Sequence, residues 1–216
     1  MSKENKGGCC GGKHKKKFDK DGRRLTISNK DSKKKIKKHK GFMAVEAKVV
    51  LLGESGVGKT ALSTKFSEGT FPENTSVTLG GSYCKKECVL DSGNTVILHI
   101  WDTAGSENSR AMLPLYYRDS SGGLITYDIG SRKSFESINY WVKELTQKLT
   151  PGTYKIAIIG NKCDLPEEER EVSHEEASQF AKDNGFLFSE VSAKTGEGVV
   201  RIFEELSEKI FQMKSD

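Results

Sequence analysis

Gly53-Glu54-Ser55-Gly56-Val57-Gly58-Lys59-Thr60 joins the apolar run Ala44 to Leu52 to a stretch of helical periodicity from Lys59 to Ser67. It is a complete G-x-x-x-x-G-K-[ST] pattern standing between a strand and a helix. Phosphate oxygens need several donors converging on a concave backbone, and glycines at 53, 56 and 58 permit both the dihedrals and the close approach. The following helix adds the positive end of its dipole. Lys59 is long enough to lie between terminal phosphates as a point charge, and the Thr60 hydroxyl is a suitable ligand for Mg²⁺, which prefers oxygen donors. A Gly-rich turn that binds nothing is the bland alternative, and the flanking strand and helix argue against it.

On either side of this segment, strand-length apolar runs alternate with amphipathic stretches. Tyr83 to Leu90 and Thr95 to Trp101 read as a hairpin closed at Asp91-Ser92-Gly93-Asn94. Gly123 to Asp128, Lys155 to Gly160 and Phe186 to Val191 read as buried strands, with helices predicted over 134–149, 174–184 and 197–213. Ser173-His174-Glu175-Glu176 has the form of a capping box. The expected fold is α/β: a mostly parallel six-stranded sheet with one antiparallel edge strand and helices on both faces. In such sheets ligands lie beyond the carboxyl ends of the strands.

Two further motifs sit at such ends. Asn161-Lys162-Cys163-Asp164 follows the run Lys155 to Gly160, and Ser192-Ala193-Lys194 follows Phe186 to Val191. A carboxylate holds the N1 proton and 2-amino group of guanine together, and adenine offers no such pair, so Asp164 favours guanine over adenine and disfavours an ATPase or kinase. Asn161 and the Ala193 amide are placed to address the other edge of the base. Lys162 and Lys194 can lay their apolar stems over its faces.

The chain of 216 residues fits one domain and a tail. Residues 1–43 hold 16 Lys or Arg against 4 Asp or Glu, net +12, and 44–216 are net −7. The first segment carries few aliphatic residues, so 1–43 is expected to be a disordered basic arm and 44–216 the folded domain. No window nears the ~18 consecutive apolar residues of a membrane span. The opening Met-Ser-Lys-Glu-Asn-Lys has no secretory character, so the five cysteines are expected to be reduced thiols in a cytoplasmic protein.

With these motifs in order, Val49 to Asp128 together with Asn161 to Lys194 resemble a small P-loop GTPase of the Ras superfamily, and specifically a Rab. The stretches Ile97 to Gly105, Leu115-Tyr116-Tyr117-Arg118 and Leu124 to Ile129 carry the likeness. Leu52 to Lys59 and Trp141 to Leu145 are similar to the early-endosomal branch. The resemblance implies a monomeric switch that binds GTP and GDP with Mg²⁺ and hydrolyses GTP. It also implies an exchange factor, a TBC-type activating protein, effectors, and a peripheral place on endomembranes in vesicle traffic. It assigns Ser55, Gly56, Val57, Gly58, Lys59, Thr60 and Ala61 to the phosphates, and Asn161, Lys162, Asp164, Ser192, Ala193 and Lys194 to the base. Phe71 would pack on the guanine edge. Thr78 would join Thr60 on Mg²⁺ when a γ-phosphate is present, Asp102 would hold the ion through water, and the Gly105 amide would hold the γ-phosphate. Tyr83, Trp101 and Tyr116 match an effector-facing aromatic triad, against the reading that they are ordinary core. His99 is expected to be a solvated or hydrogen-bonded strand residue, and Glu167 to Glu171 a solvated loop.

Two departures stand out. Ser106 occupies the place of the glutamine that orients the attacking water, so intrinsic hydrolysis is expected at or below about 10⁻⁴ s⁻¹. A GTP-binding interaction protein with negligible hydrolysis is the competing reading, although a TBC-type partner can supply its own arginine and glutamine. The chain as read ends Gln212 to Asp216 with no cysteine after Cys163, so carboxyl-terminal prenylation is not expected. Cys9 and Cys10, just before Lys13-His14-Lys15-Lys16-Lys17, suggest acylation beside a polybasic stretch and hence an amino-terminal membrane anchor. Ser2 excludes myristoylation at position 2. The lysine run from 33 to 40 is read as membrane-directed in preference to a nuclear-localisation or nucleic-acid patch or a solvated tail. Cys9, Cys10, His14 and His39 lack the spacing of a metal site.

Overall fold

The computed structural model describes residues 42–72, 78, 81–104 and 116–215. Within Gly41–Asp216, β1 (Ala44–Leu52) leads through the glycine loop to α1 (Lys59–Glu68), and β2 (Ser82–Val89) and β3 (Thr95–Asp102) form the hairpin. Then come β4 (Gly122–Asp128), α2 (Arg132–Glu136), α3 (Ile138–Thr146), β5 (Lys155–Asn161), α4 (His174–Asp183), β6 (Leu187–Val191) and α5 (Val199–Ser215). The six strands lie in the order β2-β3-β1-β4-β5-β6, antiparallel between β2 and β3 and parallel elsewhere.

The apolar runs are continuous because the central strands are covered on both faces. In β1, Ala47, Val49 and Leu51 pack toward α1 and α5, while Val50 and Leu52 pack toward Ile138, Trp141 and Leu145 of α3. Phe66 of α1 and Phe203 of α5 stack face to face, with centroids 3.8 Å apart and 6° between the planes. Since β1 lies at the centre and the chain passes to one side of it for β2 and β3 and to the other for β4, the loop after β1 opens at the sheet's switch point.

The helix predicted over 134–149 is two helices. Ser137 interrupts them, its hydroxyl donating to the Ser134 carbonyl at 2.8 Å, a local bond that competes with the helical ladder. The last helix starts two residues later than expected because Gly196 and Gly198 take left-handed conformations (φ +96° and +70°). The capping box at α4 is present: the Ser173 hydroxyl accepts from the Glu176 amide at 3.2 Å. Ser173→Ala is expected to cost about 1 kcal/mol, read as a lower denaturant midpoint with unchanged slope.

Candidate nucleotide and cation site

Two of the loop glycines are required twice over. Gly53 and Gly58 have φ of +137° and +95°, and an added Cβ would lie 2.1 Å from the Thr126 carbonyl oxygen at Gly53 and 2.2 Å from Asn161 Nδ2 at Gly58. The loop is thus pressed between β4 and the end of β5. No side chain caps the α1 amino terminus, so its first-turn amides remain available to an anion. The Lys59 ammonium donates to the carbonyls of Gly53 (2.8 Å) and Glu54 (2.7 Å), which draws the loop round it. Burial holds its pKa down to about 8, against the opposing pull of Asp102 and Glu54.

Three oxygen-bearing side chains meet beside it. The Thr60 hydroxyl donates to Asp102 Oδ2 at 2.6 Å and lies 2.8 Å from the Thr78 hydroxyl. Asp102 is buried, and desolvation raises its pKa despite the hydrogen bonds from Thr60 and Ser82 and the charge of Lys59. Its second oxygen, Oδ1, is buried with no hydrogen-bond partner among the described residues. A buried, half-satisfied carboxylate beside two threonine hydroxyls suits a small hard cation such as Mg²⁺. Ser82, to which the sequence assigned no role at the site, adds a hydroxyl 3.4 Å from Asp102 Oδ2.

At the other end of the cleft, the Asn161 side chain spans two loops. Its Nδ2 donates to the Val57 carbonyl at 2.8 Å and its Oδ1 accepts from the Ala193 amide at 3.1 Å. Asn161 therefore ties the phosphate loop to the segment after β6. Asp164 Oδ1 accepts from the Ser192 hydroxyl at 2.5 Å, and the Lys194 ammonium stands 3.8 Å from Oδ2. Lys162, at φ +69°, pairs with Asp128 at 2.6 Å.

These elements enclose a cleft of about 430 Å³. From the phosphate loop and α1 its walls are Ser55, Gly56, Gly58, Lys59, Thr60 and Ala61. Phe71 and Thr78 flank it, and Asn161, Lys162, Asp164, Ala193 and Lys194 close the far end. Val57 and Ser192 are buried behind the wall. Leu165 also lines the cleft and was missed, an apolar residue directly after Asp164 being its only sequence signal. Gly105, Ser106, Cys9 and Cys10 lie outside the described residues.

The aromatic triad is contiguous. Tyr83 and Trp101 have centroids 5.2 Å apart, Trp101 and Tyr116 5.7 Å, and the Lys48 ammonium lies 5.5 Å from the Trp101 ring. Tyr83 is 49% exposed, so the strip is not simply core. Its hydroxyl is 2.8 Å from His99 Nδ1, which makes His99 a hydrogen-bonded strand residue. The acidic run after Asp164 is more than solvated loop: Arg170 within it makes a two-pronged pair with Glu190 of β6, at 2.7 and 2.9 Å.

The sheet order, the glycine loop and the cleft define a P-loop GTPase fold. The model of the Ras family matches residues 48–212. The chain is 38% identical over 172 residues to Ras-related protein Rab-5B of Plasmodium falciparum, covering 80% of this chain and 81% of that protein. It is 43% identical over 165 residues to Ras-related protein Rab-18 of Caenorhabditis elegans, covering 76% and 80%. With GTP-binding protein YPT52 of Saccharomyces cerevisiae it shares 36% over 198 residues, covering 80% and 85%. The chain belongs to the Ras family, on its Rab side, and is a GTP-hydrolysing enzyme. Rab proteins are GTP-binding switches of vesicle traffic that use Mg²⁺ with the nucleotide and associate peripherally with endomembranes. Among the described residues no helix is long and apolar enough to cross a membrane.

Proposed function

We propose that this chain is a Rab-type switch whose intrinsic hydrolysis is unusually slow and whose membrane attachment is amino-terminal. The observation that carries the nucleotide reading is the cleft itself, in which a lysine-bearing glycine loop and the Asn161 to Asp164 segment, about a hundred positions apart, line one cavity. In this reading the amides of residues 55 to 61 and the Lys59 ammonium bind the phosphates. Asp164, set by Ser192, selects guanine, the stems of Lys162 and Lys194 cover the base, and Phe71 closes its edge. Thr60, Thr78 and Asp102 would hold Mg²⁺, which supplies charge neutralisation for the phosphates. Thr78 and the Gly105 amide respond to the γ-phosphate, so its loss releases both segments from the site. Tyr83, Trp101 and Tyr116 present the surface that effectors read.

Slow hydrolysis rests on Ser106. A hydroxyl on Cβ cannot occupy the space of a glutamine carboxamide, so water is left unoriented for in-line attack. Ser106→Gln is expected to raise the single-turnover rate about tenfold or more, a gain of about 1.4 kcal/mol in transition-state stabilisation. An unchanged rate removes this explanation. The membrane reading rests on Cys9, Cys10 and the net charge of +12 over residues 1–43. A TBC-type activating protein, an exchange factor and effectors are the expected partners, the acting form is a monomer, and nucleic acid is not one of its ligands.

A further inference from the structure

The end of the sheet remote from the cleft carries an apolar patch that nucleotide chemistry does not use. Of seven large hydrophobic side chains exposed among the described residues, three stand at the sheet end that carries the β2–β3 turn: Phe42, Met43 and Val89, which are 79%, 54% and 68% exposed. They are held there by backbone. The Met43 amide donates to Asn94 Oδ1 at 2.9 Å, its carbonyl accepts from the Thr95 amide at 2.9 Å, and Val89 stands opposite Thr95 in the hairpin register. The Phe42 ring lies over Gly93, where an added Cβ would be 2.2 Å from the ring. Exposed apolar groups gathered at one end of a sheet, unlike ones scattered singly, mark a contact surface.

The sequence immediately upstream says what kind. Residues 32 to 41 contain six lysines and one histidine with no Asp or Glu, and the run ends at Lys40, two residues before Phe42. A dense cationic run leading into a rigid apolar knob matches an anionic lipid surface: lysines meet headgroup phosphates and carboxylates, and the knob enters the boundary of the acyl chains. Asp91 in the same turn, and Glu46 and Glu87 both opposite Ile97 one same-face step in from Val89, oppose this and are outnumbered by the six lysines. We propose that Phe42, Met43 and Val89 form a wedge that inserts into an anionic bilayer surface, a reading that rests on the amino-terminal arm being membrane-directed. β1 runs from this patch to the glycine loop, nine residues or about 30 Å, so the wedge turns the nucleotide cleft away from the bilayer.

The full chain, loaded with GDP, is sedimented with vesicles of phosphatidylcholine alone and of phosphatidylcholine and phosphatidylserine in equal parts. Binding to the mixed vesicles alone is expected, and the triple variant Phe42→Ser, Met43→Ser, Val89→Ser should lower it about tenfold or more. That loss should persist in high salt, whereas the lysine contribution is screened. Nucleotide-dependent thermal stability of the variant checks that it folds. A single Phe42→Trp variant reports insertion directly, its emission shifting to the blue on the mixed vesicles. Undiminished binding by the triple variant, or an unshifted tryptophan on bound protein, overturns the wedge. If deleting residues 1–40 still abolishes binding in that case, the arm reading survives without it. Absence of binding by the full chain defeats both, and self-association of the parent that the triple variant relieves assigns the patch to a second copy and overturns the proposal.

Discussion

Asn161→Ala is expected to weaken GTP and GDP binding alike by about two orders of magnitude, seen as faster release of a fluorescent nucleotide. The side chain is 2% exposed and makes one bond to each of two loops, to Val57 O and from Ala193 N. Its removal leaves a buried carbonyl and a buried amide without partners, at about 1–3 kcal/mol each. Part of that cost appears as lower stability, and the rest as loss of the fixed distance between the phosphate cradle and the base segment. Because the tie touches neither Thr78 nor the γ-phosphate position, the ratio of GTP to GDP affinity should stay as it was. A change confined to one nucleotide would place Asn161 in the switch instead of the frame.

Asp164→Ala should have an effect as large but of a different kind. A charged acceptor hydrogen-bonded to two donors of guanine contributes about 1.5–3 kcal/mol per bond, so GTP affinity should fall by about a hundredfold or more while ATP binding barely changes. The measurement is competition of GTP and ATP against a labelled guanine nucleotide. The Ser192 hydroxyl and the Lys194 ammonium face Asp164 and would lose their partner, so the stability of the variant should be read alongside. Retained preference for GTP would remove Asp164 from the recognition of the base.

The sheet was legible because the central strands are short apolar runs bounded by turn residues, while β2, polar and largely exposed, was legible from the turn that joins it to β3. β1 and β3 appear within a residue of the expected bounds, and the glycine loop opens where the strand order reverses. The break at Ser137 was not legible, since it depends on one hydroxyl turning back to the Ser134 carbonyl inside an otherwise helical pattern. The residue types at the ends of the cleft announced themselves by chemistry: a lysine between glycines, and a carboxylate suited to guanine. Their supports did not. Asn161 meets Val57 across 104 positions, and Arg170 pairs with Glu190 from within what reads as an acidic solvated loop. Such pairings exist only once the strands are laid side by side, and no local pattern encodes them.

The face-to-face contact of Phe66 with Phe203 bolts the helix bearing Lys59 and Thr60 to the long carboxyl-terminal helix. That gives the phosphate cradle a fixed backing, an anvil set into the packed core shared by both helices. In the proposed switch the give would come from Thr78, whose hydroxyl lies 2.8 Å from that of Thr60.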